Sequence, residues 1–371
     1  MRLAIAELRR NNGRYVSITA AIGLIVFLVL ILAGLSDGLY YGSTGAYRNG
    51  NADLYSYSEG SERSFVRSEI PVDTIGDVRE VPGVTDAGGL GIQLGSTTVD
   101  GALIDVALIG HEPGRPGAPS FVTDFSSASS PVAVADVSLE AQGVEIGDQI
   151  LLTGSTTTIT VVGFVDDSAF LLSGTLWTDL ETWFQVRSEI VPELAFRDPA
   201  VQAIAVTVEV PDDAGVVAGA IDEVTGFTDT ATVEEAISSL PGVDQQQATF
   251  RAIIWTSFVV VGVVTALFFA LITLEKRNLI AILKAIGSTN RSLLVGILGQ
   301  GLVTSAGGFV LGFALSRLVG FIIPAQVPIA FLTGTAQALF IATIAMGVVG
   351  AALSFRRISK IDPATALGGA V

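Results

Sequence analysis

Four long runs of hydrophobic residues alternate with more polar segments along the chain. They cover residues 16–35, 252–274, 293–323 and 329–355, and only the third contains a charged residue, Arg317. A helix rising 1.5 Å per residue needs roughly 20 apolar residues to cross a bilayer, so each run is long enough. The first run is too long for the apolar part of a signal peptide, and we expect it to be retained. The pattern predicts four transmembrane α-helices.

The large segment between the first two runs, residues 36–251, mixes two periodicities. Alternating polar and apolar positions predict strands, and the spacing of other apolar positions predicts amphipathic helices. The predicted strands are 52–57, 97–109 with a turn at Asp100-Gly101, 157–165 and 202–210, while 131–139 and 144–152 flank a short helix. The predicted helices are 72–81, 176–186, 214–224 and 233–240. Residues 88–91 predict a turn, and 110–130 a flexible loop or a subdomain boundary. The segment is expected to be mixed α+β, as one sizeable domain or two small ones.

The distribution of charge predicts which side of the membrane each segment occupies. Residues 1–15 (an amphipathic N-terminal segment), 275–291 and the tail 356–371 together carry eleven basic residues against Glu7, Glu275 and Asp362. By the positive-inside rule these three segments are cytoplasmic. Residues 36–251 would then be extracytoplasmic, with 33 acidic residues, eight arginines and no lysine, a formal charge of −25. The formal charge of −16 for the whole chain therefore averages two segments of opposite sign. We expect a multi-pass plasma-membrane protein in contact with lipid, with both termini inside.

Several chemistries are excluded by composition and motif. The chain has no cysteine and one histidine, His111, so thiol catalysis, Cys-based metal sites and a Ser-His-Asp triad are not expected. No phosphate-binding G-x-x-x-x-G-K-[ST] loop is present, so the chain should not bind ATP itself. The acidic outer segment offers no basic surface for nucleic acid. We predict no catalytic residues, no metal site and no resident cofactor.

The cytoplasmic stretch 275–287 has the pattern of a short amphipathic helix. Its apolar face carries Leu279, Ile282, Leu283 and Ile286, which follow i, i+3, i+4 and i+7 spacing. Its charged face carries Lys276, Arg277 and Lys284. Two interpretations remain open: a connector lying on the membrane surface, or an apolar ridge that docks into a groove of a cytoplasmic protein.

This stretch and the tail 360–367 resemble the MacB/FtsX-type ABC permeases, and more closely their haem-efflux branch in Gram-positive bacteria. Further similar pieces are 3–8, Arg14-Tyr15, 328–333, 352–363 and Gly368-Gly369. The resemblance implies a homodimer of four-helix subunits that transmits the motion of a separate, ATP-binding ABC ATPase dimer. In this chain the ATPase contacts would be Glu275, Lys276, Arg277, Leu279, Ile282, Leu283 and Ile286.

The haem-efflux resemblance implies that haem is the transported ligand, taken from the outer leaflet. Ferric haem accepts tyrosine or carboxylate ligands, and its propionates attract arginine. The candidate residues are Tyr40, Tyr41, Tyr47, Arg48, Glu209 and Arg251. The tyrosines are also typical of interfacial anchors, His111 of a solvated loop, and Arg317 of a snorkelling side chain. Gly308 and Gly312, spaced as G-x-x-x-G, could permit close dimer packing.

Two other functions remain open at this point. An FtsX-like permease can act as a regulator that relays ATPase motion to an extracellular partner. Alternatively, the same architecture could export another amphiphile, a peptide or a lipoprotein.

Overall fold

The structure is a computed structural model that describes residues 12–120, 130–275, 282, 284, 286–287, 289–324 and 327–359. The chain divides into two compact units. One, called the helix unit, comprises Met1–Gly38 and Gln247–Val371, and the other, called the sheet domain, comprises Leu39–Gln246.

The secondary structure comprises helices and strands, each numbered in chain order. The helices are α1 (Asn12–Arg48), α2 (Thr74–Arg79), α3 (Val137–Glu140), α4 (Leu180–Ile190), α5 (Ala214–Thr225), α6 (Val233–Ser238), α7 (Val243–Glu275), α8 (Asn290–Gly320) and α9 (Thr333–Ser359). The strands are β1 (Leu54–Ser58), β2 (Ile70–Pro71), β3 (Val84–Val99), β4 (Ala102–His111), β5 (Val132–Asp136), β6 (Gln149–Leu151), β7 (Thr158–Val165), β8 (Gly174–Asp179), β9 (Ala200–Val201), β10 (Ala203–Val208) and β11 (Thr228–Thr232). Two short 3₁₀ helices, Pro192–Phe196 and Pro211–Asp213, connect elements of the sheet domain.

The four predicted membrane helices are present as long apolar helices. The segments Tyr15–Arg48, Val243–Ile272, Asn290–Gly320 and Thr333–Ser354 are long and apolar enough to span a bilayer. Together with the α+β sheet domain between the first and second, they confirm the predicted fold class. Helix α1 differs from the expected 16–35 span because it continues without a break to Arg48. Tyr40, Tyr41, Tyr47 and Arg48 therefore lie on the helix itself, whereas the hydrophobic pattern placed them after it.

Helix α1 forms the centre of the helix unit. Its residues Ile22, Val26 and Val29 are at most 2% exposed, and they belong to one cluster with Phe258 of α7 and Phe309 of α8. Leu339 of α9 completes this cluster. The core consequently joins all four helices of one chain.

Small residues allow these helices to approach closely. A Cβ atom added to Gly312 of α8 would lie 2.7 Å from the carbonyl oxygen of Gly23 on α1, and one added to Gly350 of α9 would lie 2.5 Å from that of Gly262 on α7. Gly308 packs against Ile22 in the same way. The expectation that the G-x-x-x-G pair serves dimer packing is therefore corrected, because both glycines face α1 of their own chain.

The sheet domain is built on a nine-stranded sheet of order β11-β1-β10-β3-β4-β8-β5-β7-β6, with β2 and β9 forming a separate ribbon. Pairs β4–β8 and β5–β7 are parallel, and the other pairings are antiparallel. Successive side chains of β10 point to opposite faces of the sheet and belong to two different cores. Ala203 and Ala205 join an aromatic cluster, whereas Ile204 and Val206 join a cluster with α2 and α5.

Three local predictions for this domain are wrong, and one aromatic side chain explains two of them. Residues 88–91 lie inside β3 rather than in a turn, and Gly110 and His111 end β4 rather than open a loop. Trp183 of α4 lies so close to the sheet that a Cβ at Gly91 or at Gly110 would be 2.3 Å from its atoms. The glycines are therefore required by packing and not by chain reversal. Residues 121–129 of the predicted loop lie outside the described part.

The third wrong prediction is the helix over 176–186, whose first part is strand β8. Asp179 ends this strand and caps α4, because its side chain accepts a hydrogen bond from the backbone N–H of Thr182 at 2.7 Å. Strand β8 is paired on both sides, with β4 and β5. Sheet pairing therefore overrides the helical spacing up to the cap.

Candidate functional site

The predicted ATPase-contact segment follows α7, and the structure describes part of it. Lys276, Arg277, Leu279 and Leu283 lie outside the described residues. The N–H of Ile286 donates to the carbonyl oxygen of Ile282 at 3.0 Å, which is the bond of one helical turn. Gly287, at φ 103°, follows as a left-handed residue of the kind that ends helices.

The two described members of the apolar face are exposed. Ile282 is 48% exposed and Ile286 is 80% exposed. Spaced four residues apart, they lie on the same side of a helical turn. Glu275, the last residue of α7, is also exposed. An apolar ridge flanked by charge is the chemistry expected of a helix that docks into a partner's groove.

Three of the predicted cargo residues lie together at the end of α1. The Tyr40 and Tyr41 rings meet edge to face at 5.7 Å, and the Arg48 guanidinium lies 4.0 Å from the centre of the Tyr41 ring. Arg48 is also held by Asp167: its Nη1 donates to Oδ2 at 2.7 Å and its Nη2 donates to Oδ1. This bidentate pair already satisfies the guanidinium that was predicted to receive a propionate.

Tyr47 belongs to the core of the sheet domain. It is 2% exposed and packs against the rings of Tyr55, Phe65 and Phe170 at 5.0, 5.3 and 6.0 Å. Its hydroxyl oxygen accepts a hydrogen bond from the Tyr57 hydroxyl at 2.9 Å. Burial raises the pKa of both Tyr55 and Tyr57, so these phenols are held neutral. Because iron binds tyrosine as phenolate, the cluster is built for packing rather than ligation.

The remaining predicted residues do not join this group. Glu209 is exposed and lies after the end of β10, where its N–H donates to the carbonyl oxygen of Gly83 at 2.9 Å. Arg251 is exposed on α7 and belongs to the helix unit. His111 is 2% exposed within the sheet, so the solvated-loop interpretation is wrong. Among the described residues no cluster of three or more His, Cys, Asp or Glu side chains could hold a metal ion.

A site that the sequence did not reveal lies within the helix unit. Asp37 of α1 and Arg317 of α8 line one cavity of about 100 Å³, together with Phe313, Phe331 and Thr335. The Thr335 hydroxyl donates to Oδ2 of Asp37 at 2.7 Å. Asp37 was not predicted as a site residue, because the hydrophobic run that predicts the first membrane helix ends at Leu35. The available signal was that Asp37 is the one charged residue of the sequence 15–47 and Arg317 the one charged residue of 292–320.

Arg317 connects this cavity to a second one. Its guanidinium lies 5.8 Å from the centre of the Phe313 ring and 5.6 Å from that of Phe331. Arg317 and Phe331 also line an adjacent cavity of about 360 Å³, whose other walls include Phe321 and Ile329. A cation held over aromatic rings beside apolar walls can receive an apolar molecule that carries a carboxylate. We call Asp37, Phe313, Arg317, Phe331 and Thr335 the Arg317 site.

Comparison with known proteins identifies the kind of protein to which these helices belong. Residues 251–363 match the family described as FtsX-like permease C-terminal. Over 100% of its length the chain is 21% identical to a Staphylococcus haemolyticus protein named putative hemin transport system permease protein HrtB, of which 99% is covered. It is also 26% identical to the Mycobacterium tuberculosis (H37Rv) uncharacterized ABC transporter permease Rv0072, with 99% of each chain covered. Residues 251–363 are therefore an FtsX-like permease domain, and the whole chain is similar to ABC transporter permeases. This confirms the resemblance seen in the sequence.

Two solved structures are similar to part of this permease. They are the periplasmic region of MacB from Actinobacillus actinomycetemcomitans and the extracellular domain of the transporter YknZ from Gram-positive bacteria. The first is 12% identical with a TM-score of 0.35, covering 52% of this chain and 93% of that one. The second is 10% identical with a TM-score of 0.34, covering 48% and 98%. ABC transporter permeases are normally non-catalytic subunits, and similarity to them implies an ATPase partner and dimerisation.

Proposed function

We propose that this permease is the homodimeric membrane subunit of an ABC efflux pump that works by mechanotransmission and exports haem from the outer leaflet. A separate ATPase dimer would bind ATP, close, and push the segment after α7. The sheet domain would be extracytoplasmic and both termini cytoplasmic. The permease itself would hold no resident cofactor.

The exposed pair Ile282 and Ile286 is the observation that supports the coupling step. Two isoleucines on one side of a turn are costly to expose to water, and a protein groove would bury them. The helix that precedes them, α7, is continuous over Val243–Glu275. A push on the segment can therefore travel along a single rigid element.

A reconstituted complex tests this coupling. We expect Ile286→Asp to abolish stimulation of the partner's ATPase by the permease, because a charge on the apolar ridge prevents docking. Ile286→Leu should retain it. Val66→Asp, which places the same charge at another exposed apolar position, should leave stimulation unchanged. ATP hydrolysis by the permease alone, or full stimulation by Ile286→Asp, would refute the proposal.

The choice of haem rests on the relatives named for hemin transport and on the chemistry of the Arg317 site. Haem combines a flat apolar ring with two propionates, which suits a cation beside aromatic walls. The sheet domain's strongly negative charge disfavours attraction of an anionic cargo from water, so access through lipid is favoured.

Hemin titration of the permease in lipid nanodiscs tests the cargo separately. We expect a saturable Soret shift that Arg317→Gln weakens about tenfold, since one charge-assisted contact is lost. Arg115→Gln, an equal charge change in the sheet domain, serves as the control. Absence of a shift at micromolar hemin would refute haem as the cargo and favour another amphiphile, a peptide, a lipoprotein or a regulatory role.

A further inference from the structure

The sheet domain contains a cavity of about 580 Å³ that no part of the export cycle uses. Part of its wall is formed by α4, with Leu180, Phe184 and Arg187, and another part includes Val72 and Leu194. This volume lies within the range of small-molecule sites, and most of the wall positions named are apolar. The chemistry of the cavity therefore depends on its few charged side chains.

Arg187 is the exception among the arginines of this domain. Each of the other six has a carboxylate oxygen within 4.0 Å: Arg48, Arg63, Arg67, Arg79, Arg115 and Arg197. Within the described residues no carboxylate lies that close to Arg187. An arginine without a neighbouring carboxylate is unusual in a domain so rich in acidic residues, and this arginine lines the cavity.

The surroundings of Arg187 leave its charge only partly compensated. Its guanidinium lies 5.1 Å from the Trp183 ring, and its Nη1 donates a long hydrogen bond of 3.4 Å to the carbonyl oxygen of Ile92. Burial lowers the pKa of Arg187, and the charge of Glu69 partly opposes this effect. Glu69 itself is bound by Arg197 at 3.2 Å. An anion placed in the cavity would stabilise this partly buried cation.

The other charges on the cavity wall limit what can bind. Glu181 and Asp198 are exposed, and Glu69 shares its charge with Arg197. The whole domain is strongly negative, so a ligand with several negative charges would be repelled. A ligand with a single negative charge and an apolar body is repelled only weakly, and its apolar part can pack against the apolar walls.

We propose that this cavity binds an amphiphile with a single carboxylate, which pairs with the Arg187 guanidinium while its apolar chain lies against Val72, Leu180, Phe184 and Leu194. This site is separate from the cargo route proposed above. It would let the domain respond to an apolar acid independently of transport.

Binding of radiolabelled decanoate to the full-length permease in nanodiscs tests this proposal, with binding to protein-free nanodiscs subtracted. We expect saturable binding of one decanoate per chain. Decanol, which has the same chain and no charge, should not compete. Arg187→Gln should weaken binding about tenfold or more, because the charge-assisted bonds are lost. Arg187→Lys should stay within about threefold, because it keeps the charge.

Two further variants distinguish the cavity from a general charge effect. Arg115→Gln removes an equal charge from an exposed arginine that does not line the cavity, and it should bind normally. Ala195→Trp fills the cavity from an exposed position and should abolish binding without disturbing the core. No saturable binding, equal losses in Arg187→Gln and Arg115→Gln, or full binding by Ala195→Trp would each overturn the proposal.

Discussion

The contact between Trp183 and the two strand glycines yields a sharp prediction for Gly91→Ala. Trp183 is fully buried, and the added methyl group would lie 2.3 Å from its Cε2 and Cζ2 atoms. The ring cannot move aside freely, because its own Cβ lies against Gly110 and the Phe184 ring is 4.9 Å away. Either the strand or α4 must therefore shift.

The expected cost follows from this overlap. Inserting a methyl group into a close-packed core typically lowers the free energy of unfolding by about 1–3 kcal/mol. We expect the upper end of this range, because the added methyl group is confined between the β3 backbone and the Trp183 ring. A loss of about 3 kcal/mol corresponds to roughly 100-fold more opening, since each factor of ten is about 1.4 kcal/mol. Amides of β3 and β4 that exchange through unfolding of the domain should therefore exchange about 100-fold faster.

Hydrogen-exchange mass spectrometry of the full-length permease in nanodiscs measures this effect. Gly163→Ala is the matched control, because Gly163 also lies within a strand but has nothing within 4 Å of the added methyl group. The control should be neutral or slightly stabilising, since alanine is less flexible than glycine in the unfolded chain. Equal exchange in the two variants would show that the Trp183 contact does not require a glycine. Gly91→Ala should also weaken decanoate binding, because Arg187 lies over the displaced ring.

Three further predictions concern other parts of the permease. Tyr47→Phe should destabilise the sheet domain by about 1–3 kcal/mol in thermal unfolding, because the buried Tyr57 hydroxyl loses its hydrogen-bond acceptor. Hemin binding should stay unchanged. Loss of hemin binding at unchanged stability would instead show that Tyr47 is a haem ligand. Hydrogen bonds from Ser155 and the Thr156 and Thr157 segment outweigh burial and lower the pKa of Glu189 to about 2. The contribution of ionised Glu189 to stability should therefore be complete above about pH 4.5 and disappear as the pH falls towards 2. Glu189→Gln should remove this part of the stability-versus-pH profile. At neutral pH it should lower the free energy of unfolding by about 1 kcal/mol. Gly312→Ala should lower the denaturation temperature of the helix unit through its contact with α1, whereas Gly296→Ala, with open space around it, should not; equal shifts would contradict the packing role.

The features that depend on local composition could be predicted from the sequence. The length and hydrophobicity of four segments predicted four membrane helices, and the alternation of β1, β7 and β10 predicted strands, because each property belongs to a contiguous stretch of chain. The apolar face of 275–287 and the tail likewise carried the family resemblance. These signals need no knowledge of distant partners.

The roles of individual side chains depended instead on partners far along the chain. Tyr47 and Arg48 resembled ligands until Tyr57 and Asp167 were found beside them. The glycines of residues 88–91 resembled a turn, but the structure packs Trp183 against Gly91 within a strand.

The same holds for the charges that define the two candidate sites. Asp37 is hydrogen-bonded to Thr335, which is 298 residues away in the sequence. Arg317, equally remote in the sequence, lines the same cavity as Asp37. Arg187 is distinctive only because every other arginine of its domain has found a carboxylate. The sequence by itself determined the helices, the mixed domain and the kind of protein, because hydrophobic runs, periodicity and charge counts are local. Only the tertiary structure decided which polar groups are already satisfied and which remain available to a ligand, because that depends on distances between residues remote in sequence.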